Sequence, residues 1–238
     1  MRLEELIGKN IIKLIKMLPY FDWKLVGITG IKNIKLKTLH FVEYDIEKPR
    51  NIEEIYFPIE ISKELELLSI RRNENRQTGL ISKVEFEYPF QNSDGYGHIP
   101  MVDFDAHNDP KISSEKEAIE VIKESLLHTE IEEGVILRSS SKRNYYFMGI
   151  GRVLSETQFL TFLGLCLTMR DSKGVNLADS RHIGHTLSAM KYMAELENKQ
   201  RGTNWSAYDF EDRFATLRVT PKEGNILPIV IDIYGRRK

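Results

Sequence analysis

Apolar residues recur at spacings of three and four from the start of the chain, which predicts an amphipathic helix over 2–18. Pro19 ends the pattern, because proline cannot continue a helix. The polar positions carry both signs of charge. A helix packed on its own domain is therefore favoured over one that lies on a membrane surface or docks a partner. The apolar positions are Leu3, Leu6, Ile7, Ile11, Leu14, Ile15 and Leu18.

Extended segments follow this helix. Residues 24–29, 34–44 and 53–58 are rich in Val, Ile, Thr, Phe and Tyr, and they predict three strands with turns between them. Residues 60–68 predict a short helix.

Two polar runs predict loops. Residues 71–78 are almost entirely polar, and residues 91–97 hold a cluster of Asn, Ser, Asp and Gly that is typical of turns. These runs mark a seam between an N-terminal α/β portion, residues 1–90, and the remainder, residues 91–238. We expect the two portions to form one compact unit.

The centre of the chain predicts a strand, a helix and two further strands. The strands cover 99–105, 134–137 and 145–150. The helix begins in a capping box, in which Ser114 and Glu117 satisfy each other's free amide donors. A helical connection would make the first two strands parallel, and the tight turn would make the last two antiparallel.

The last part of the chain predicts two helices and two strands. The helices cover 155–169, which is very apolar and expected to be buried, and 180–196. The strands cover 214–219 and 226–234.

Composition narrows the class of protein. The chain has 238 residues, of which 41% are apolar and 29% charged, and its net charge is −1, so any basic surface is a local patch. Cys166 is the single cysteine, which excludes an intramolecular disulfide and a cysteine-rich zinc site. No uncharged apolar run is long enough to span a membrane, and charged residues interrupt the N-terminus, unlike a signal peptide. We expect a cytoplasmic protein in a reducing compartment.

The first candidate for chemistry is the strand end Val102-Asp103-Phe104-Asp105. Alternation along a strand places Asp103 and Asp105 on one face, where their carboxylates repel each other. A divalent cation such as Mg²⁺ or Mn²⁺ relieves this repulsion, because it prefers oxygen ligands and can bridge to phosphates. The alternative is a strand that simply ends in solvent.

Polar side chains further along the chain are candidates for anion binding. The segment from Arg138 to Asn144 combines hydroxyls and cations and would cradle a triphosphate, unless it is a plain solvent-exposed hairpin tip. Asp179 or Ser180 is a candidate N-cap. Candidate phosphate contacts beyond it, which are equally consistent with surface charges, are Arg181, His185, Arg218 and Lys222. A zinc site built from Asp179, His182 and His185 is not favoured, because no partner set accompanies them.

The order of these motifs resembles the catalytic core of the archaeo-eukaryotic primase superfamily, the primase-polymerases, over residues 99–222. The Asp-x-Asp pair of that family would be Asp103 and Asp105. Its Ser-x-His-type hairpin would be 139–147, and its later apolar-Asp would be Ala178-Asp179. Leu217-Arg218-Val219 is similar to the family's arginine-bearing strand. One departure is that Asn144, or Tyr145 with a one-residue shift, stands where the family has a histidine.

This resemblance implies an α+β fold: a primase-type core, with an RNA-recognition-like antiparallel or mixed sheet packed on helices, beside the N-terminal α/β portion. It implies a metal-dependent nucleotidyltransferase that adds nucleotides from NTP or dNTP on a nucleic-acid template, as in DNA replication. Two Mg²⁺ or Mn²⁺ ions would be held by Asp103, Asp105 and Asp179. The nucleotide-binding residues would be Ser140, Ser141, Lys142, Arg143, Asn144, Arg181, His185, Arg218 and Lys222.

The implied partners are a single-stranded template, nucleoside triphosphates and a separate helicase or accessory subunit, with no membrane. Two alternatives stay open. One is a catalytically decayed primase-like subunit that binds nucleic acid or serves assembly. The other is a different enzyme, such as a metal-dependent nuclease, a phosphotransferase or a nucleotide-sugar enzyme.

Overall fold

The computed structural model of the chain describes residues 1–27, 30–45, 55–65, 76–88, 93–105, 112–139, 144–170, 174, 177–180, 183, 216–219 and 227–235. Within these ranges the helices are α1 (Ile11–Met17), α2 (Glu115–Leu126) and α3 (Glu156–Thr168). The strands are β1 (Trp23–Gly27), β2 (Gly30–Asp45), β3 (Ile55–Glu60), β4 (Arg76–Tyr88), β5 (Ser93–His98), β6 (Met101–Asp105), β7 (Glu133–Arg138), β8 (Asn144–Gly149), β9 (Arg152–Leu154), β10 (Thr216–Arg218) and β11 (Ile229–Gly235). The α+β class is confirmed. No helix in the described part of the chain has the length and hydropathy to cross a membrane.

The predicted N-terminal helix is interrupted. Leu3–Leu6 form a 3-10 turn, Gly8 has a left-handed φ of 79°, and α1 begins only at Ile11. The side chain of Asn10 caps α1 by accepting a hydrogen bond of 2.9 Å from the main-chain N–H of Lys13. Five of the predicted apolar positions are fully buried, so the helix packs on its own domain, whereas Ile7 is 50% exposed. The buried five are Leu6, Ile11, Leu14, Ile15 and Leu18.

Seven of the described strands form one sheet in the order β10-β4-β5-β9-β1-β2-β3. β2 also pairs with β4 over most of its length, so β1, β2, β4, β5 and β9 pair in a closed ring. The predicted strands at 24–29, 34–44 and 53–58 are confirmed as β1, β2 and β3. The predicted helix after β3 is a hydrogen-bonded turn over 61–64 in its described part.

Both predicted loops are wrong where the structure describes them. Residues 76–78 begin β4, and residues 93–97 lie in β5. The glycines in β5 serve close packing and not a turn: a Cβ on Gly95 would lie 2.7 Å from the Phe86 ring, and one on Gly97 would lie 2.9 Å from the Leu154 carbonyl oxygen. The seven-stranded sheet takes strands from both sides of residue 90. The proposed division there stays a prediction.

The other sheet within the described residues has four strands, in the order β11-β7-β8-β6, and every pair in it is antiparallel. The predicted β7–β8 hairpin is confirmed. β6 and β7 run in the same direction across α2, as predicted, and β8 lies between them. Two strands joined by a helix leave a gap that the next strand can fill, as in a split βαβ unit.

Helix α2 covers one face of this sheet. The ion pairs Lys123–Asp232, at 2.8 Å, and Arg138–Glu115, at 3.0 Å, connect the helix to that face. The Ser114 hydroxyl caps α2 by accepting a hydrogen bond from the Glu117 N–H, as predicted. The Glu117 carboxylate instead accepts from the hydroxyl and N–H of Ser113, and these hydrogen bonds lower the pKa of Glu117.

Two adjacent chain segments join the sheets. β5 continues into β6 through Pro100, and β8 continues into β9 through Gly151, which has a left-handed φ of 75°. The N–H of Gly149 donates a hydrogen bond of 2.8 Å to the Pro100 carbonyl, so both crossings lie side by side. This arrangement holds β6 at a fixed position relative to the seven-stranded sheet.

Helix α3 is confirmed close to its predicted limits. Ser155 caps its first turn, and its buried residues face the closed ring of strands. The helix predicted over 180–196 is described only at its start, where the Ile183 N–H donates to the Asp179 carbonyl over 3.1 Å. The rest of that helix lies outside the described residues.

Candidate functional site

Asp103 and Asp105 lie at the C-terminal end of β6. Successive side chains of a strand point to opposite faces, so both carboxylates lie on one face while Val102 and Phe104 lie on the face that α2 covers. Asp105 is buried, with 7% of its surface exposed, and Asp103 is half-buried. Two carboxylates with so little exposure to solvent need compensation by positive charge or by hydrogen bonds.

A distant segment, residues 177–179, pairs with the outer edge of β6. The Asp105 N–H donates to the Leu177 carbonyl over 3.0 Å, and the Asp179 N–H donates to the Asp103 carbonyl over 2.8 Å. These two bonds flank an antiparallel bridge between Phe104 and Ala178. The segment therefore extends the four-stranded sheet beyond β6.

This register brings the third acid to the same face. Antiparallel pairing of Phe104 with Ala178 sets Asp103 opposite Asp179, and residues directly opposite each other share a face. Their Cβ atoms are then about 4.5–5.5 Å apart, with Asp105 two residues further along. The structure thus gathers the backbones of all three predicted aspartates around one point of the sheet. We call Asp103, Asp105 and Asp179 the acidic face.

Asp179 has a second structural role. Its carbonyl accepts the hydrogen bond from Ile183 that begins a helical turn, so it occupies the junction between the edge strand and that turn. The prediction of an N-terminal helix position for Asp179 is consistent with this bond. The side chain is half-buried.

Strand β8 supplies the neighbours of the acidic face on its other side. The register sets Asn144 opposite Asp105 and Tyr146 opposite Asp103. The Asn144 carbonyl accepts a hydrogen bond of 2.9 Å from the Ser139 N–H, so the second motif enters the sheet at this residue. The structure therefore brings Asn144 beside the Asp-x-Asp pair, as the motif order predicts.

Nothing in the sequence singles out Tyr146 as a neighbour of this site. This residue is buried, with 4% of its surface exposed, and lies on the same face as the three aspartates. Alternation along β8 relates it to Asn144, but only the pairing of β8 with β6 relates it to Asp103. A pairing register between two strands separated by a helix and a third strand cannot be derived from their own residues.

Strand β10 lies against β6, with Cα atoms of the two strands within 8 Å. Arg218 is in β10, so its backbone is beside the strand that bears Asp103 and Asp105. The remaining predicted nucleotide-binding residues lie outside the described residues: Ser140, Ser141, Lys142, Arg143, Arg181, His185 and Lys222.

The acidic face offers oxygen ligands only, which is the donor set preferred by Mg²⁺ and Mn²⁺ and not by Zn²⁺. By donor chemistry the residues fit the predicted cations. Among the residues described, however, no three His, Cys, Asp or Glu side chains are close enough together to form a metal-binding group. The backbone is arranged for such a site, whereas the side chains do not converge.

Comparison with known proteins supports a family assignment. A family model described as archaeo-eukaryotic primase 1D-like matches residues 60–194, which include β6, β8 and the 177–179 segment. The match covers more than half of the chain, and the chain belongs to this archaeo-eukaryotic primase-like family. No curated protein and no solved structure matches the chain.

Proposed function

We propose that this chain is a metal-dependent nucleotidyltransferase of the primase-polymerase type, which extends a nucleic-acid strand from nucleoside triphosphates. The observation that supports it best is the 2.8 Å hydrogen bond from the Asp179 N–H to the Asp103 carbonyl. This bond places the acid of the third motif beside the Asp-x-Asp pair of the first. Membership of a primase-like family supports nucleotides and nucleic acid as the ligands.

In this proposal Asp103, Asp105 and Asp179 hold two Mg²⁺ or Mn²⁺ ions. Cations bound there would lower the pKa of an attacking 3′-hydroxyl and neutralise the leaving pyrophosphate. Asn144, beside Asp105, would contribute an amide that can both donate a hydrogen bond to the nucleotide and accept one. Buried neighbours such as Tyr146 would limit access of water to the acidic face.

The side chains predicted to contact phosphate complete the proposal. They would bind the triphosphate, since charge-assisted hydrogen bonds to phosphate oxygens are strong. These residues are Ser140, Ser141, Lys142, Arg143, Arg181, His185, Arg218 and Lys222. A cytoplasmic location, a role in DNA replication and a separate helicase or accessory subunit stay predictions from the sequence.

The test is incorporation of a labelled nucleotide on a single-stranded template with Mn²⁺. The wild-type protein is expected to incorporate label, and Asp103→Asn or Asp105→Asn is expected to lower the rate by at least ~100-fold. Asp232→Asn is the matched control, because Asp232 lies in the same sheet on the α2 face, in an ion pair with Lys123. Unchanged incorporation in both site variants would refute the metal assignment.

One observation favours a second candidate, a nucleic-acid-binding subunit that has lost catalysis. Asn144 stands where the related motif carries a histidine, and its backbone is directly opposite Asp105. For this candidate, wild-type protein would bind single-stranded nucleic acid without incorporating label. Asn144→His would then restore incorporation if that residue is the missing group. A nuclease would instead shorten the template without any nucleoside triphosphate.

A further inference from the structure

Three lysines and no acidic residue occur over residues 9–20 of a chain whose net charge is −1. Lys9, Lys13, Lys16 and the aromatic Tyr20 follow one another at spacings of four, three and four residues, and Lys13 and Lys16, three apart within α1, share one side of that helix. Lys9 directly precedes the N-cap of α1, Lys13 and Lys16 are in the helix, and Tyr20 ends the 3-10 turn after it. We call these four residues the basic stripe.

Lys13 and Lys16 lie on the outer side of α1, and Lys9 and Tyr20 flank the helix along the chain. Lys13 is exposed, Lys9 and Lys16 are partly exposed, and Tyr20 has 67% of its surface exposed. Tyr20 is the most exposed of the large hydrophobic side chains in the described part of the chain. Cations that follow a backbone and a ring that stacks on a base are the elements by which proteins bind single-stranded nucleic acid.

The opposite side of α1 is not available for insertion into a membrane. A helix that lies on a lipid bilayer inserts its apolar face between the lipids. In α1 this face is already used: the residues with no surface exposed are Ile11, Leu14, Ile15 and Leu18. The side that is exposed carries the lysines, and their charge is complementary to phosphates.

The position of the stripe relates it to the acidic face. Asn10 forms a bridge with Ile229, so the chain before α1 adds a strand beside β11, at the edge of the four-stranded sheet opposite to β6. Four strand spacings separate this added strand from β6, which is about 19 Å. A single strand of nucleic acid several nucleotides long spans such a distance, and site sizes of about 4–16 nucleotides are usual.

We propose that the basic stripe binds the sugar–phosphate backbone of single-stranded nucleic acid, with Tyr20 stacked on a base. This inference rests on the proposed function, because the bound strand is the template that the acidic face would serve.

The test measures the affinity of fluorescent oligodeoxythymidylate and oligouridylate, each about 16 nucleotides long, as a function of salt. In the variant Lys9→Gln/Lys13→Gln/Lys16→Gln, the slope of log affinity against log salt is expected to fall by ~2, since each phosphate contact contributes ~0.7 for single strands. Tyr20→Ala is expected to weaken binding at least ~5-fold, with little change in this slope. The two oligonucleotides distinguish DNA from RNA as the preferred strand.

The matched control is Lys35→Gln/Lys37→Gln/Lys63→Gln. These exposed lysines lie beside acids, with Nζ–carboxylate distances of 3.3 Å to Glu87, 2.6 Å to Asp94 and 2.9 Å to Glu60. The control is expected to keep the wild-type slope, and thermal melting checks that both triple variants fold. An unchanged slope in the stripe variant would overturn the inference. If the stripe variant loses binding to anionic lipid vesicles to the same extent, the inference is overturned as well, because that result would indicate that the stripe binds a membrane.

The outcome is separable from that of the proposed function. Asp103→Asn is expected to bind both oligonucleotides at least as tightly as the wild type does, while incorporating label at least ~100-fold more slowly. If the wild type incorporates label and the stripe variant binds normally, the inference fails and the proposed function stands. If the wild type incorporates nothing but the stripe variant loses binding, the proposed function fails and the inference stands.

Discussion

The main-chain N–H of Asp179 donates a hydrogen bond to the main-chain carbonyl of Asp103 over 2.8 Å. This one bond determines that the two side chains share a face, because residues opposite each other in an antiparallel pair point the same way. With Cβ atoms about 5 Å apart, the two side chains place like charges near each other whether or not a ligand is bound. The acidic face therefore predicts an effect on stability as well as on activity.

Removing one charge from the acidic face should stabilise the protein when divalent cations are absent. Like charges directly opposite each other cost about 0.2–1 kcal/mol, so Asp179→Asn is expected to raise the Tm by about 1–3 °C in chelator. The wild-type Tm should rise with Mn²⁺ and that of the variant should rise less, since a ligand of the folded state stabilises it. A lower Tm for the variant in chelator would show that Asp179 is held by a protein cation and not by a metal.

Substituting a glycine of β5 is expected to change the stability of the fold in the opposite direction from substituting Gly164 in α3. Gly97→Ala places a Cβ against the Val153 side chain and the Leu154 carbonyl, so it is expected to destabilise the fold by about 1–3 kcal/mol in urea unfolding. Gly164 in α3 has open space around its Cβ position, and Gly164→Ala should stabilise the fold by about 0.5–1 kcal/mol. Equal effects of the two substitutions would contradict the packing described for β5.

A buried histidine connects the closed ring of strands to α3. The His98 ring stacks on Phe159 with centroids 4.3 Å apart, and its nitrogens are 3.2 Å from the Ser82 hydroxyl and 2.8 Å from the Glu156 carboxylate. His98→Ala removes the stacking and both hydrogen bonds, and is expected to cost about 2–4 kcal/mol of unfolding free energy. The matched control is His128→Ala, at an exposed position, where the change should stay within about 0.5 kcal/mol.

Cys166 should report on the integrity of α3. The thiol is fully buried, and burial raises its pKa well above the ordinary value of 9.0. The raised pKa keeps the thiol protonated at pH 8, and only the thiolate is a good nucleophile, so an aromatic disulfide reagent should react with the unfolded protein alone. The stability that the neutral thiol contributes is complete below pH 9 and is lost as the pH rises further. Rapid reaction of the native protein would contradict the packing of α3.

Local patterns predicted the elements that depend on neighbours in sequence. The strands β1, β2, β3, β7 and β8 and the helices α2 and α3 follow from periodicity and capping, because a side chain's alternation and its caps are set within a few residues. The failures have the opposite origin. The glycines of residues 93–97 predict a turn. In the structure their lack of a side chain instead makes room for Phe86 and Val153 from other strands.

The candidate site likewise combines features that one strand determines with features that depend on the pairing of distant strands. The alternation that puts Asp103 and Asp105 on one face is a property of their own strand, and it is visible in four consecutive residues. Asp179 and Tyr146 flank Asp103 on the two neighbouring strands, and their positions depend on which strands pair and in which register. Register is decided by the burial of whole sheet faces, to which residues far apart in the chain contribute together, so only the folded chain establishes the acidic face.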